Sequence, residues 1–142
     1  MRRIHLRSAF AVLIGCIVSS CGGSGGGGGG GDFGNGLAID TTSLSFTAAA
    51  NQTPPSKALH ATITATDAAT VSLGYAAGAQ QVAWLQGSIP PGQSPANVAI
   101  NVNVTPLATP GTYTAHPAVA IFRSDGSVIA LRGLTVTYQV TP

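Results

Sequence analysis

The chain has 142 residues, a length suited to one domain, and only 7% of them are charged, against about 25% in an average soluble domain. The formal charge of +2 is misleading, because Arg2, Arg3 and Arg7 sit at the start; from Cys21 onward Lys57, Arg123 and Arg132 stand against Asp32, Asp40, Asp67 and Asp125, three cations against four carboxylates, a net −1. Nucleic-acid binding needs a basic stripe that displaces counterions, and scattered cations exclude that class.

In chain order, the arginine-bearing start leads into residues 9–18, an unbroken apolar run. As a helix it would reach about 15 Å, half of a hydrocarbon core of about 30 Å. That is too short for a stable span and fits the apolar region of a secretory signal peptide. Val18-Ser19-Ser20-Cys21 follows at once: an aliphatic residue, two small residues, then cysteine. The pattern resembles the lipobox of bacterial lipoproteins. The resemblance implies that a diacylglycerol is attached to the Cys21 sulfur and that residues 1–20 are removed as a signal peptide. Two or more acyl chains give stable membrane attachment. In the Gram-negative members an Asp just after the cysteine holds the protein at the inner membrane. Gly22 stands there here, which implies the outer membrane. Cys16 and Cys21 are the chain's 2 cysteines, so after the cut neither a disulfide nor a thiol metal site is expected.

Residues 21–36 hold the lipidated cysteine and then read GGSGGGGGGGDFGNG. Glycine has no side chain to bury and the most backbone entropy to lose, so a disordered tether is expected. As a flexible coil it would span about 20–23 Å. Phosphate-cradling glycine loops join a strand to a helix and usually carry Lys with Ser or Thr, which this stretch lacks. Phe33 is its one apolar residue.

From Leu37 the pattern changes to period two. Leu44 and Phe46 alternate with Ser43, Ser45 and Thr47. Leu59, Ala61, Ile63 and Ala65 alternate with His60, Thr62, Thr64 and Thr66, and Val98, Ile100, Val102 and Val104 with Ala99, Asn101 and Asn103. Leu134, Val136, Tyr138 and Val140 alternate with Thr135, Thr137 and Gln139. Each run puts one apolar row inward and one polar row toward water. Shorter strands are expected at 71–75, 82–86, 112–122 and 128–132. Turn signals separate them: Pro54-Pro55, Pro90-Pro91-Gly92, Pro110-Gly111, and Asp125-Gly126 as a two-residue hairpin signal. The expected fold is all-β: a single immunoglobulin-like antiparallel β-sandwich of about seven strands over residues 37–142.

The order Leu44-Ser45-Phe46, then Trp84-Leu85, then Leu107-Ala108-Thr109-Pro110-Gly111-Thr112-Tyr113-Thr114, then a closing Val-rich strand is similar to a BACON domain. The likeness covers roughly residues 37–140. BACON domains are immunoglobulin-like modules of bacterial surface and secreted proteins. The resemblance implies a non-catalytic module, with carbohydrate or mucin contact as one expected role.

The residues give little for catalysis. Glycoside hydrolysis wants two carboxylates about 5–10 Å apart. Asp40, Asp67 and Asp125 fall at strand ends and turns, where Asp serves as a turn or cap residue. No Gly-x-Ser-x-Gly nucleophile elbow occurs. His60 and His116 fall on outward rows without a third ligand for a metal. No cofactor is expected. Trp84, the lone Trp, has two readings. It is a core residue like the buried Trp of immunoglobulin domains, or a sugar-stacking platform with Tyr75, Gln80 and Gln81 beside it. Val82 shares its face by period two, which favours the core. Tyr113, just after Pro110-Gly111, suits a tyrosine corner, its hydroxyl bonded to nearby backbone. The expected function is a membrane-anchored envelope lipoprotein whose module binds or adheres to a glycan or protein. The alternative is a purely structural envelope component without a small ligand.

Overall fold

The computed structural model describes residues 32–76 and 79–142, with two short strands before them, β1 (His5–Leu6) and β2 (Ala11–Val12). Among the described residues no helix is long and apolar enough to cross a membrane. Alternation sets the strands. In β5 (Lys57–Ile63) the side chains of Leu59, Ala61 and Ile63 are buried while His60 and Thr62 are exposed. β8 (Asn97–Val104) and β12 (Thr135–Thr141) follow the same rule. Each strand thereby supplies one half of a sandwich core.

One layer is built in the order β3 (Leu37–Ile39), β5, β8, β7 (Leu85–Ser88), all antiparallel. The other consists of two hydrogen-bonded halves. One holds β4 (Ser43–Ala49), β12 and β9 (Gly111–Ala115). The second holds β6 (Thr70–Tyr75), β10 (Ala118–Phe122) and β11 (Val128–Gly133). The halves belong together because β9 and β10 are one strand broken at His116-Pro117, and β11 and β12 are one strand broken at Leu134. Ala118 faces Gly133 and Ala115 faces Val136, so a single register runs through the break. Pro117 has no N–H for the ladder, yet its carbonyl still accepts a bond from Leu134 N at 2.9 Å. Counting each broken strand once gives the ABED layer of an immunoglobulin-like sandwich and a CFG layer extended by β4 beside its last strand.

Three details differ from expectation. The single strand expected at 112–122 is split, for the proline reason just given. The pairing of β4 with β12 is parallel, so the sandwich is not wholly antiparallel. The chain crosses between layers after β3 instead of turning back, and so enters beside the last strand pointing the same way. The Asp125-Gly126 hairpin has a three-residue loop rather than a two-residue one. Arg123 N bonds Ser127 O at 2.9 Å and Gly126 N bonds Arg123 O at 3.0 Å, with Gly126 at φ +86°. This is a type I turn followed by a left-handed glycine, the next most common hairpin closure.

The core runs through both layers, with Leu59, Ile100, Val102, Val119, Val136 and Tyr138 fully buried. The domain also begins earlier than its alternation suggests. Asp32–Gly36, assigned to the tether by composition, lies against it. Phe33 forms a backbone bridge with Leu131, its N–H to Leu131 O at 2.9 Å and the return bond at 2.8 Å. The Arg132 guanidinium donates to Phe33 O at 2.8 Å and Gly34 O at 2.9 Å, and Asp32 Oδ1 accepts from Gly133 N at 3.0 Å. Gly34 has φ +71°, and a Cβ there would collide with the Ile129 carbonyl. The rest of the proposed tether, residues 22–31, lies outside the described residues.

Gly34→Ala is therefore expected to lower stability by about 1–3 kcal/mol, combining a disfavoured φ with a backbone clash. Gly92→Ala is the control, since φ there is +80° but a Cβ meets open space. It should cost only the left-handed strain of about 1–2 kcal/mol. Urea denaturation of the two variants measures the difference; equal losses would mean that the Gly34 contact is not formed.

Candidate functional site

The structure divides the residues singled out for ligand contact. Trp84 is 9% exposed. It sits in the turn before β7, and Thr105 N bonds its carbonyl at 2.8 Å. Its ring centroid is 6.5 Å from that of Tyr113, edge to face, and 5.9 Å from that of Tyr138. Tyr113 and Tyr138 are themselves 6.5 Å apart. Offset and edge-on aromatic packing at such spacings is favourable beyond the area it buries. Tyr113 also makes the expected corner, its hydroxyl donating to Thr109 O at 2.8 Å. The Tyr138 hydroxyl donates to Gln52 O at 3.2 Å. Both polar tips are thus satisfied by backbone, and the three rings plug the end of the core.

Tyr75, at the end of β6, is 2% exposed. Burial pushes its phenol above the ordinary value, opposed by a hydrogen bond with the Val82 backbone. Gln80 and Gln81 are exposed. The structure therefore brings no aromatic platform and amide pair together at the surface: both aromatics face inward and only the amides meet solvent. Cys21 lies outside the described residues.

The carboxylates serve the local backbone or a surface ion pair. Asp40 Oδ1 accepts from His60 N at 2.9 Å, and Asp125 Oδ1 from Ser127 N at 2.8 Å. Asp67 pairs with Arg123 at 2.6 Å with both side chains half exposed, an arrangement that adds little stability. His116 Nδ1 lies 3.5 Å from Thr135 Oγ1, and His60 is exposed. Among the described residues no group of three or more His, Cys, Asp or Glu is placed to hold a metal. An open groove of about 240 Å³ lies between residues 63–66 with Ala68 on one side and Pro95 with Ala96 on the other. Methyl and threonine side chains line it, with no charged group to orient a substrate.

One feature of the second layer was not legible as a site. The outward row of the strand formed by β9 and β10 changes character at Pro117. Before it, Thr112 and Thr114 are exposed; after it, Ala118 and Ala120 are fully buried and cluster with Phe122 and Leu131, apart from the main core. Opposite them on β6, Gly74 pairs with Ala118 and Ser72 with Ala120. Ser72 is 5% exposed, and its hydroxyl has no hydrogen-bond partner. The sequence signal was the absence of alternation in 118–122, which is apolar at every position. Such a run marks a strand buried on both faces.

No protein-family model matches the chain, and no curated protein matches it.

Two outcomes follow from this geometry. Trp84→Ala removes the ring that Tyr113 and Tyr138 pack against and should cost roughly 3–5 kcal/mol, a large share of a typical 5–15 kcal/mol. Tryptophan emission of the parent should be blue-shifted and resist acrylamide; emission like that of free tryptophan would contradict the buried ring. Asp125 offers a pH test. Its carboxyl is held below the ordinary Asp value by the Ser127 hydroxyl first and the Ser127 amide second, with Arg123 assisting. A depressed folded value means that the turn is strengthened above the unfolded value of about 3.9. That gain is lost as pH falls through the lower, folded value. Carboxyl NMR titration should show Ser127→Ala raising the Asp125 midpoint toward the ordinary one; an unmoved midpoint would discount these bonds.

Proposed function

We propose that the chain is a bacterial envelope lipoprotein, anchored through Cys21, that presents a non-catalytic immunoglobulin-like module to a protein partner. The observation that carries this reading is the position of the fold along the chain. The described domain starts at Asp32, after the lipobox-like Val18-Ser19-Ser20-Cys21, and only the glycine-rich residues 22–31 lie between. Lipid, spacer and module follow in the order that a surface-presented domain requires. The BACON resemblance agrees with a binding module. A glycan-stacking role for Trp84 and Tyr75 is disfavoured, because burial leaves neither ring face for a sugar. A protein partner asks less of exposed aromatics and more of backbone edges. A non-catalytic role is supported by the Asp side chains, which bond to local backbone or to Arg123 at separate turns. Gly22 favours the outer membrane.

Metabolic labelling with an alkyne fatty acid tests the anchor. The parent chain should label and Cys21→Ser should not. Equal labelling of the two would overturn the lipoprotein reading.

A further inference from the structure

β6 lies at one margin of the second layer. This strand is the outer member of its half-layer, bonded on one side to β10. On its other side it is paired in parallel with two short pieces of its own chain: His5 faces Thr70, Leu6 faces Val71, Ala11 faces Gly74 and Val12 faces Tyr75. Both pieces belong to residues 1–20, the segment that cleavage before Cys21 would remove.

β6 carries no edge protection in its own sequence. Protein sheets blunt their edges with lysine, proline, bulges or very short strands. Thr70-Val71-Ser72-Leu73-Gly74-Tyr75 has none of these residues, its register with β10 is regular, and Val71 to Tyr75 are buried. The outward row of this half-layer is small and uncharged: Ser72, Gly74, Ala118 and Ala120. An uncharged, regular edge beside a face of small side chains suits an added strand.

We propose that β6 is a strand-accepting edge. The chain's own His5–Leu6 and Ala11–Val12 occupy it before processing. Once residues 1–20 are removed, it takes an extended, uncharged, apolar segment of a partner protein, running parallel to β6. This opening rests on the proposed cleavage before Cys21. The parallel direction argues against a second copy as the occupant, because a twofold pairing of β6 with β6 is antiparallel. The uncharged outer row argues against a charged peptide.

The test uses the full chain with a protease site placed within residues 22–31 and cut after purification, so that it does not depend on cellular processing. The probe is a fluorescein-labelled peptide of residues 4–13 carrying Arg7→Ser, which removes the one charged side chain. Before the cut, hydrogen exchange should show Thr70–Tyr75 protected and the probe should not bind. After the cut and removal of the N-terminal fragment, those amides should exchange faster, and the probe should bind and restore their protection. A probe carrying Leu6→Pro and Val12→Pro should bind about tenfold more weakly, since proline withdraws a ladder donor. Undiminished protection of β6 after removal of the fragment, or equal binding of the proline probe, would overturn the proposal. So would a stable dimer by light scattering that excludes the probe, which would assign the edge to a second copy. The intact mass of the chain recovered from cells separates the two questions: retention of Met1 would defeat the anchor reading, while the protease-cut protein still decides the fate of β6.

Discussion

The ladder between residues 111–122 and 128–141 is what the rest of the sandwich depends on. It holds one register on both sides of Pro117, and each neighbour in its layer attaches to it: β6 along β10, β4 along β12, and Phe33 along β11. It also carries Tyr138, whose ring meets Trp84 and whose hydroxyl reaches Gln52. Cys16 and Cys21 both lie before the domain, so no disulfide assists it. A domain of this size buries about 60–70% of its unfolded surface, and that burial has to hold it alone. The break at Pro117 has a second effect. It separates a half-layer with a solvated outer row of threonines from one with a buried outer row of alanines.

The sequence made most of this framework legible because period two is a strong signal wherever one face is wet. β5, β8 and β12 lie where Leu59-Ala61-Ile63, Val98-Ile100-Val102 and Val136-Tyr138-Val140 place them. The inward Trp84 and the Tyr113 corner were legible for the same local reasons. The failures are equally physical. The strand expected at 82–86 begins only at Leu85, because Trp84 and Leu85 are buried side by side and consecutive burial breaks alternation. The docking of Phe33 was hidden by composition. Glycine normally signals disorder, yet Gly34 and Gly36 adopt positive φ to bring Phe33 and Leu37 onto the domain.

The candidate site was less legible than the fold. Aromatics beside amides in sequence say nothing about which way the rings turn. Here Tyr75 and Trp84 turn inward and Gln80 and Gln81 outward. Edge exposure is harder still, because it depends on which strands lie next to each other in space. Three of the other edges show the usual protections. β3 and β7 are short, with Pro90-Pro91 soon after β7, and β11 is bridged by Phe33 under the Arg132 clamp. β6 is protected only by borrowed strands.

That contrast bears on how an anchored module would meet a partner. The contacts of Arg132 with Phe33 and of Gly133 with Asp32 fix where the chain joins the domain: along β11. β10 separates β11 from β6. At about 4.8 Å per strand, the β6 edge stands roughly 10 Å across the sheet from the clamped one, facing away from it. The clamp therefore fixes residues 32–34 at the margin opposite β6, and a strand added to β6 would not meet them.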